Sequence, residues 1–164
     1  MKKVFQILFA GVLCLGLLTG CTNQQATNSK QDETGTAGSN MPLKDNAEEA
    51  KYQIEVAMQH LLEETYGDKV VDARITVDKV YSAADEESVP SLKEMKLGLD
   101  EVAFEVSYEL KPKEGEDVNQ FTAATGEYDE ASGWVKDKHN VGILRPNPDG
   151  KEPAYVITDF GTGW

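Results

Sequence analysis

The chain has 164 residues, of which 29 are acidic and 16 are basic, and its formal net charge at pH 7 is −13. A surface so rich in carboxylates repels the phosphates of nucleic acids, which argues against a DNA- or RNA-binding protein. Both cysteines, Cys14 and Cys21, lie near the N-terminus. The rest of the chain therefore has no disulfide, thiolate nucleophile or cysteine-ligated metal site.

Residues 1–20 have the pattern of a secretory signal. Lys2 and Lys3 precede a run from Val4 to Leu18 that is apolar except for Gln6, and this run is shorter than the roughly 20 apolar residues that a membrane span requires. The run closes with the four residues Leu18, Thr19, Gly20 and Cys21.

These four residues resemble the lipobox of bacterial lipoproteins. The resemblance implies that signal peptidase II recognises Leu18, Thr19 and Gly20, cuts before Cys21, and leaves a diacylglyceryl group on the Cys21 sulfur. Two acyl chains hold a protein stably on a bilayer, so the expected location is the extracytoplasmic face of the cell membrane. The alternative is a plain secreted protein whose cysteine falls here by chance.

Residues 21–43 read as the lipidated cysteine and a flexible polar tether. The stretch from Thr22 to Leu43 has no apolar period and is rich in Ser, Thr, Asn, Gln and Gly, a composition that does not form a core. Such a segment has a mean reach of about 26 Å, which suits the cell-wall layer of a Gram-positive envelope.

Residues 44–164 are long enough for one domain with a single core. They contain 27 acidic and 13 basic side chains, which indicates either simple solubility or a basic partner or cation. The first predicted element is a helix over about residues 46–66, where apolar side chains recur at three- and four-residue steps. Asn46 with Glu49, or Asp45 with Glu48, offers a capping box.

The chain after the helix predicts strands, because apolar and polar residues alternate. The segment Ser82–Pro90 reads as an acidic loop, and Ser91–Leu97 as a short helix or an extended crossing. The predicted strands are Val71–Tyr81 with a bulge near Lys79, Val102–Lys111, Gln120–Tyr128, Trp134–Leu144 and Ala154–Phe160.

One helix followed by four or five antiparallel strands predicts an α+β fold, with a curved sheet wrapped on the helix. This element order is similar to the cystatin-like and NTF2-like rolls of small Gram-positive lipoproteins, and the single strong helix favours the cystatin-like form. The resemblance rests on element order alone, so it brings no functional residue with it.

Catalytic and metal-binding motifs are missing from the sequence of the domain. The two histidines, His60 and His139, belong to no HExxH pair, and the turn Asn147–Gly150 lacks the spacing of a calcium loop. The domain has neither a G-x-S-x-G elbow nor an S-x-x-K arrangement. We expect no catalytic residue, no cofactor and no metal.

Aromatic residues are concentrated near turns and at the C-terminus. If the terminal Gly-Thr-Gly-Trp segment folds back, Trp134 and Trp164 are predicted to line a pocket, with Tyr108 or Tyr128 as polar neighbours. In the alternative interpretation, the aromatic side chains seal the sheet against the helix.

The sequence favours a non-catalytic binding or protein-interaction module, tethered at the envelope, that engages an envelope protein or a small ligand through its sheet face. The alternative is a small extracellular enzyme that uses carboxylates in a concave pocket. A transporter substrate receptor is disfavoured, since one domain of this length does not make a two-lobed clamp.

Overall fold

The computed structural model describes residues 41–164; the predicted signal segment, Cys21 and the tether up to residue 40 lie outside the described residues. In the described part, one long helix packs against an open antiparallel sheet of five strands. The predicted α+β class is therefore confirmed.

The long helix, α1, spans Ala47–Tyr66. Its first turn is capped by Asn46, whose side-chain oxygen accepts a hydrogen bond from the backbone N–H of Glu49 at 3.2 Å. The helix ends at Gly67, whose φ of 57° is a conformation that side-chain-bearing residues rarely adopt. Its buried side consists of Ala50, Ile54, Ala57, Met58 and Leu62.

The sheet is antiparallel throughout, with the strand order β1-β2-β4-β3. Strand β5 also pairs with β4, so that β3 lies beside the beginning of β4 and β5 beside its end. The strands are β1 Val70–Val80, β2 Val102–Pro112, β3 Glu127–Asp129, β4 Trp134–Pro146 and β5 Tyr155–Gly161.

The two faces of the sheet carry separate apolar clusters. On the face that packs against α1, the inner face, the side chains of Phe104, Val106 and Leu110 are fully buried. Ala103 and Ile143 point to the opposite, outer face and are buried with Tyr81, Leu92 and Leu97. Two short helices follow β1, α2 Ala83–Ser88 and α3 Pro90–Met95, and Leu92 of α3 belongs to this second cluster.

The acidic segment that the sequence predicts as a loop is instead helix α2. Ser82 and Asp85 form a reciprocal capping box: the Asp85 N–H donates to Ser82 Oγ at 3.3 Å, and the Ser82 N–H donates to Asp85 Oδ2 at 3.0 Å. The hydrogen bonds from Ser82 lower the pKa of Asp85. Two satisfied backbone donors explain why so short an acidic segment is helical.

The start of the domain is fixed to this helical layer by a buried ion pair. Lys44 Nζ lies 2.9 Å from Glu86 Oε2 and donates to the Leu97 carbonyl at 3.0 Å. The Lys44 N–H bonds the Leu99 carbonyl. Leu43, which the sequence assigns to the tether, is buried in the core instead. The folded domain therefore begins before Lys44, where the sequence prediction places its start.

The predicted strand over Gln120–Tyr128 is wrong, because regular pairing begins only at Glu127. Phe121 is buried as expected, yet the backbone that follows bonds to a lysine side chain rather than to a strand. Lys138, 3% exposed, donates from Nζ to the carbonyls of Phe121 at 2.8 Å, Ala123 at 3.3 Å and Thr125 at 2.7 Å. Burial lowers the pKa of Lys138.

Gly126 lets this loop close over the lysine. Its φ is +109°, and a Cβ added there would lie 2.8 Å from Lys138 Cγ, too close for any other residue without a shift. The loop from Phe121 to Gly126 and the lysine are therefore one packing unit at the inner face of the sheet.

We expect Lys138→Met to destabilise the fold by about 2 kcal/mol or more, because carbonyls in the loop lose their only side-chain donor while the apolar volume is kept. The control is Lys111→Met, which alters an exposed lysine of β2 and should change the free energy of unfolding by less than about 0.5 kcal/mol. Urea denaturation followed by circular dichroism measures both, and equal effects of the two variants would contradict the role given to Lys138.

Candidate functional site

The outer face of the sheet carries a polar cluster assembled from three adjacent strands. Asp78 comes from β1, Glu105 and Ser107 from β2, and His139 from β4; we call these four residues the outer-face cluster. Register pairs Ser107 with both Thr76 and His139, which places the side chains of the three strands side by side. The structure thus joins residues that are up to 61 positions apart in the sequence.

A bulge in β1 brings Asp78 into this cluster. The register between β1 and β2 shifts between Val77 and Lys79, so Asp78 is an extra residue on its strand. The predicted bulge near Lys79 is confirmed. Its consequence is that a carboxylate reaches the serine on the neighbouring strand.

Hydrogen bonds and close contacts connect the four side chains. Ser107 Oγ donates to Asp78 Oδ2 at 2.6 Å and lies 3.4 Å from His139 Nδ1. His139 Nδ1 is 3.6 Å from Asp78 Oδ2, and its Nε2 is 3.8 Å from Glu105 Oε2. The imidazole therefore lies between two carboxylates, and a protonated His139 pairs with both.

A groove of about 400 Å³ continues from this cluster along the outer face. We call it the outer-face groove. It is lined by Arg74, Thr76, Ser107, Tyr108, Glu109, Asp137, Lys138 and His139. Arg74 forms an ion pair with Glu109 at 3.0 Å, and its guanidinium lies 4.0 Å from the centre of the Trp134 ring. Charges of both signs are thus held at fixed positions along the groove.

A second bulge shapes the far side of the outer-face groove. Between the pairs Tyr108–Lys138 and Leu110–Val135, strand β4 contains one residue more than β2. Asp137, in this interval, has a φ of 57°. The bulge bends β4 and directs the Asp137 segment into the groove.

The hydrogen bonds of the outer-face cluster bear on its chemistry. A serine nucleophile needs its proton directed at a base such as histidine. The single hydroxyl proton of Ser107 is instead directed at Asp78, and His139 is in contact with the same carboxylate. In this geometry the serine hydroxyl is directed at a carboxylate rather than at the imidazole, an arrangement suited to hold polar groups.

Metal binding gains no support from the geometry. Within residues 41–164, no three His, Cys, Asp or Glu side chains are arranged to hold a metal ion. In the turn that starts at Asn147, the Asn147 amide donates to the carbonyls of Lys151 and Pro153, and its oxygen accepts from the Asp149 N–H. These oxygens are occupied within the turn.

The structure does not bring the four aromatic residues of the predicted pocket together. Tyr108 is buried in the inner-face core beside Phe160, and burial raises its pKa. Trp134 is buried on the outer face under Arg74, while Tyr128 is partly exposed on β3. Trp164 packs at the other end of the outer face, edge-on to Tyr81 with ring centres 6.0 Å apart. Packing within the fold therefore accounts for three of the four aromatic residues: Tyr108, Trp134 and Trp164.

Sequence alternation identified part of the outer-face cluster. In β2, alternation with Phe104, Val106 and Tyr108 predicts that Glu105 and Ser107 lie on the polar face, and the structure places both on the outer face, opposite the buried inner face. The polar stretch Lys136–Asn140 predicts a solvated strand face or a loop around His139, and the structure places His139 exposed on strand β4. The role of Asp78 was missed, because it depends on a bulge and on the register between β1 and β2.

Tyr81 connects the outer-face cluster to the second apolar cluster. Its hydroxyl donates to Glu105, and its ring contacts Trp164. Burial raises the pKa of Tyr81, and the hydrogen bond to Glu105 raises it further. Lys79 Nζ lies 4.3 Å from the centre of the same ring. Glu105 is thus held by a tyrosine on one side and faces His139 on the other.

We expect Glu105→Gln to lower the pKa of Tyr81 but to leave it above the ordinary value of 10.0, because burial is the larger cause. The stabilisation from protonated Tyr81 is complete below pH 10 and is lost as the pH rises through the raised pKa, so Tyr81→Phe should flatten the alkaline fall in unfolding free energy. NMR titration of the tyrosine Cζ carbon and urea denaturation measure these effects. Glu109→Gln, the control on the same strand, should leave the titration of Tyr81 unchanged; an equal shift in both variants would contradict the assignment.

Known proteins offer no match that identifies a function for this chain. In the described residues, no helix has the length and apolar character that crossing a membrane requires. No protein-family model, curated protein or solved structure matches the chain.

Proposed function

We propose that the chain is a lipoprotein anchored through Cys21 at the extracytoplasmic face of the cell membrane, and that its folded domain is a non-catalytic binding module. The lipobox residues Leu18, Thr19, Gly20 and Cys21 support the anchor. The domain is the cystatin-like outer part of such a lipoprotein, a view supported by the order of one helix followed by antiparallel strands. The acidic surface favours a domain held clear of anionic headgroups.

The outer-face groove is the observation that carries the binding role. It is open and holds an arginine, carboxylates and hydroxyls at fixed positions on three paired strands, where backbone hydrogen bonds limit their movement. Such a surface recognises a polar ligand or a patch of a protein by complementary charge and hydrogen bonding. We therefore take an envelope protein or a small polar ligand as the partner.

The outer-face cluster favours a second candidate, a small extracellular enzyme that uses carboxylates. Asp78 and Glu105 flank His139 on a partly exposed surface, and such groups serve as acids and bases in many hydrolases. The hydrogen bond from Ser107 to Asp78 is the reason to prefer binding. Hydrolysis of a model ester or glycoside by the purified chain that His139→Ala abolishes, with an unchanged free energy of unfolding, would support the enzyme.

The membrane anchor predicts a clear result for Cys21→Ala. The unaltered chain, expressed in a bacterium that processes lipoproteins, should incorporate radiolabelled palmitate and partition into the detergent phase of a Triton X-114 extract. The Cys21→Ala chain should incorporate no label and partition into the aqueous phase, because it lacks the thiol that receives lipid. Cys14→Ala, within the predicted signal segment, is the matched control and should behave as the unaltered chain; label retained in Cys21→Ala would contradict the anchor.

The binding role predicts site-selective crosslinking in cells. A photoreactive amino acid at Glu109, which lines the outer-face groove on β2, should capture a recurrent envelope protein or ligand from the anchored chain and fail to do so from the Cys21→Ala chain. The control places the same amino acid at Glu48, an exposed position on α1. Capture of the same species with the same yield from both positions would contradict a role for the groove.

A further inference from the structure

Strand β1 is an edge of the sheet. In the strand order of the described residues it is the terminal member, paired with β2 on one side and with no strand on the other. In an antiparallel pair, every second residue directs its backbone N–H and C=O away from the partner. An edge strand of 11 residues therefore presents several unpaired donors and acceptors to its surroundings.

The middle of β1 is a regular template for pairing. Between Asp72 and Val77 the register with β2 runs without interruption, and shifts occur only at Val70/Asp72 and Val77/Lys79. Bulges protect sheet edges against non-specific pairing by twisting the backbone away. They flank this segment at both ends, which leaves six consecutive residues available and fixes where an added strand begins and ends.

A groove lies beside the beginning of this template, between β1 and the last turns of α1. It has a volume of about 360 Å³, and we call it the edge groove. Its lining residues are Gln59, Leu62, Glu63, Gly67, Val70, Val71, Asp72 and Ala73. Val71 is 57% exposed, and no atom lies within 4 Å of the position that a Cβ on Gly67 would occupy. The edge groove therefore has an apolar wall and free space.

The charge of the edge groove selects its occupant. The ionisable residues that line it, Glu63 and Asp72, are both acidic. The domain around it has about twice as many acidic as basic side chains, which adds a field of the same sign. An occupant with a lysine or arginine is favoured, and an acidic one is repelled.

The β5 edge is a poorer candidate. The cavity between α1 and β5 has a volume of about 50 Å³, and a neighbouring groove of about 290 Å³ is lined by Glu152 and Pro153, which precede the strand. Proline lacks the backbone N–H that pairing requires. Of the two edges beside α1, β1 has the longer uninterrupted register, six residues against the four from Tyr155 to Thr158, and its groove is lined by residues of the strand itself.

We propose that β1 binds an extended peptide segment of a partner protein as an added strand along Asp72–Val77. In this arrangement, an apolar side chain of the peptide packs on Val71 and Leu62, and a lysine or arginine lies near Glu63 and Asp72. Backbone hydrogen bonds supply affinity and the edge groove supplies selectivity, as in other cases of strand addition. Arg74 and Thr76 of this template also line the outer-face groove, but the edge groove shares no lining residue with it. Substitutions at Glu63 therefore test strand addition without altering the outer-face groove.

The test uses the full lipidated chain in detergent micelles and a synthetic heptapeptide, acetylated and amidated, in which threonine alternates with valine and lysine. Hydrogen–deuterium exchange measured by mass spectrometry should slow in segments that cover residues 70–77. Exchange in β5 should not change. Protection that appears instead in β5 or in β4 would overturn the proposal.

Two N-methylated versions of the peptide separate strand pairing from attraction between charges. One carries N-methyl groups on the threonines and the other on the valines and lysines, so each blocks one edge of the peptide while its charge is unchanged. Strand pairing predicts that only one of the two loses binding, because a strand uses one edge. Equal binding by both, or by neither, would overturn the proposal.

Charge reversal on α1 tests the edge groove itself. Glu63→Lys should raise the Kd of the peptide by about tenfold, equivalent to a loss of about 1.4 kcal/mol in binding free energy. The matched control is Glu64→Lys, the next residue, which lies on the β5 side of α1 and should alter the Kd by less than about twofold. Equal weakening by both variants would show that the effect comes from the net charge of the domain, and it would overturn the proposal.

A second copy of this chain is the other possible occupant of the β1 edge. Protection of β1 that grows with protein concentration in the absence of peptide would show this and would overturn the proposal.

Discussion

The buried ammonium of Lys138 is the interaction on which the shape of this domain most depends. A buried cation is costly unless its donors are satisfied, and here three backbone carbonyls satisfy it. The same contacts fix the loop from Phe121 to Gly126 at the inner face. Val135 and Lys138 both point inward although they are three positions apart, so β4 needs an extra residue between them, and the bulge at Asp137 supplies it. One lysine thus couples the core to the groove on the opposite face.

The parts of the fold that local signals determine were predictable from the sequence, and the parts that depend on register were not. Helix α1 and strand β2 follow from periodicity and from the Asn46 cap. The strand expected after Gln120 fails because Lys138, more than ten residues later, takes carbonyls that a neighbouring strand would otherwise pair. Helix α2 carried a local signal, the Ser82–Asp85 capping box, which the acidic composition obscured. The outer-face cluster needs the bulge at Asp78, and alternation alone does not position it.

The two proposed binding surfaces differ in what they recognise. The outer-face groove presents side chains of both charges, so it discriminates by polar complementarity. The edge groove presents unpaired backbone beside an acidic, partly apolar wall, so it discriminates by extended conformation and positive charge. The proposed anchor and tether would give both surfaces a high local concentration of partners at the envelope, where moderate affinities are sufficient. The aromatic side chains that the sequence predicts to line a pocket mostly stabilise the fold that carries these surfaces.

The most direct test of this account is an NMR measurement of scalar couplings across the hydrogen bonds of the Lys138 ammonium in the full chain in detergent micelles. The account predicts a slowly exchanging side-chain ammonium, with couplings from Nζ to the carbonyl carbons of Phe121 and Thr125, the two shorter contacts. It also predicts no strand pairing of the backbone between these residues. A rapidly exchanging ammonium without couplings, together with strand pairing from Gln120 onward, would contradict it and remove the structural basis for the outer-face groove.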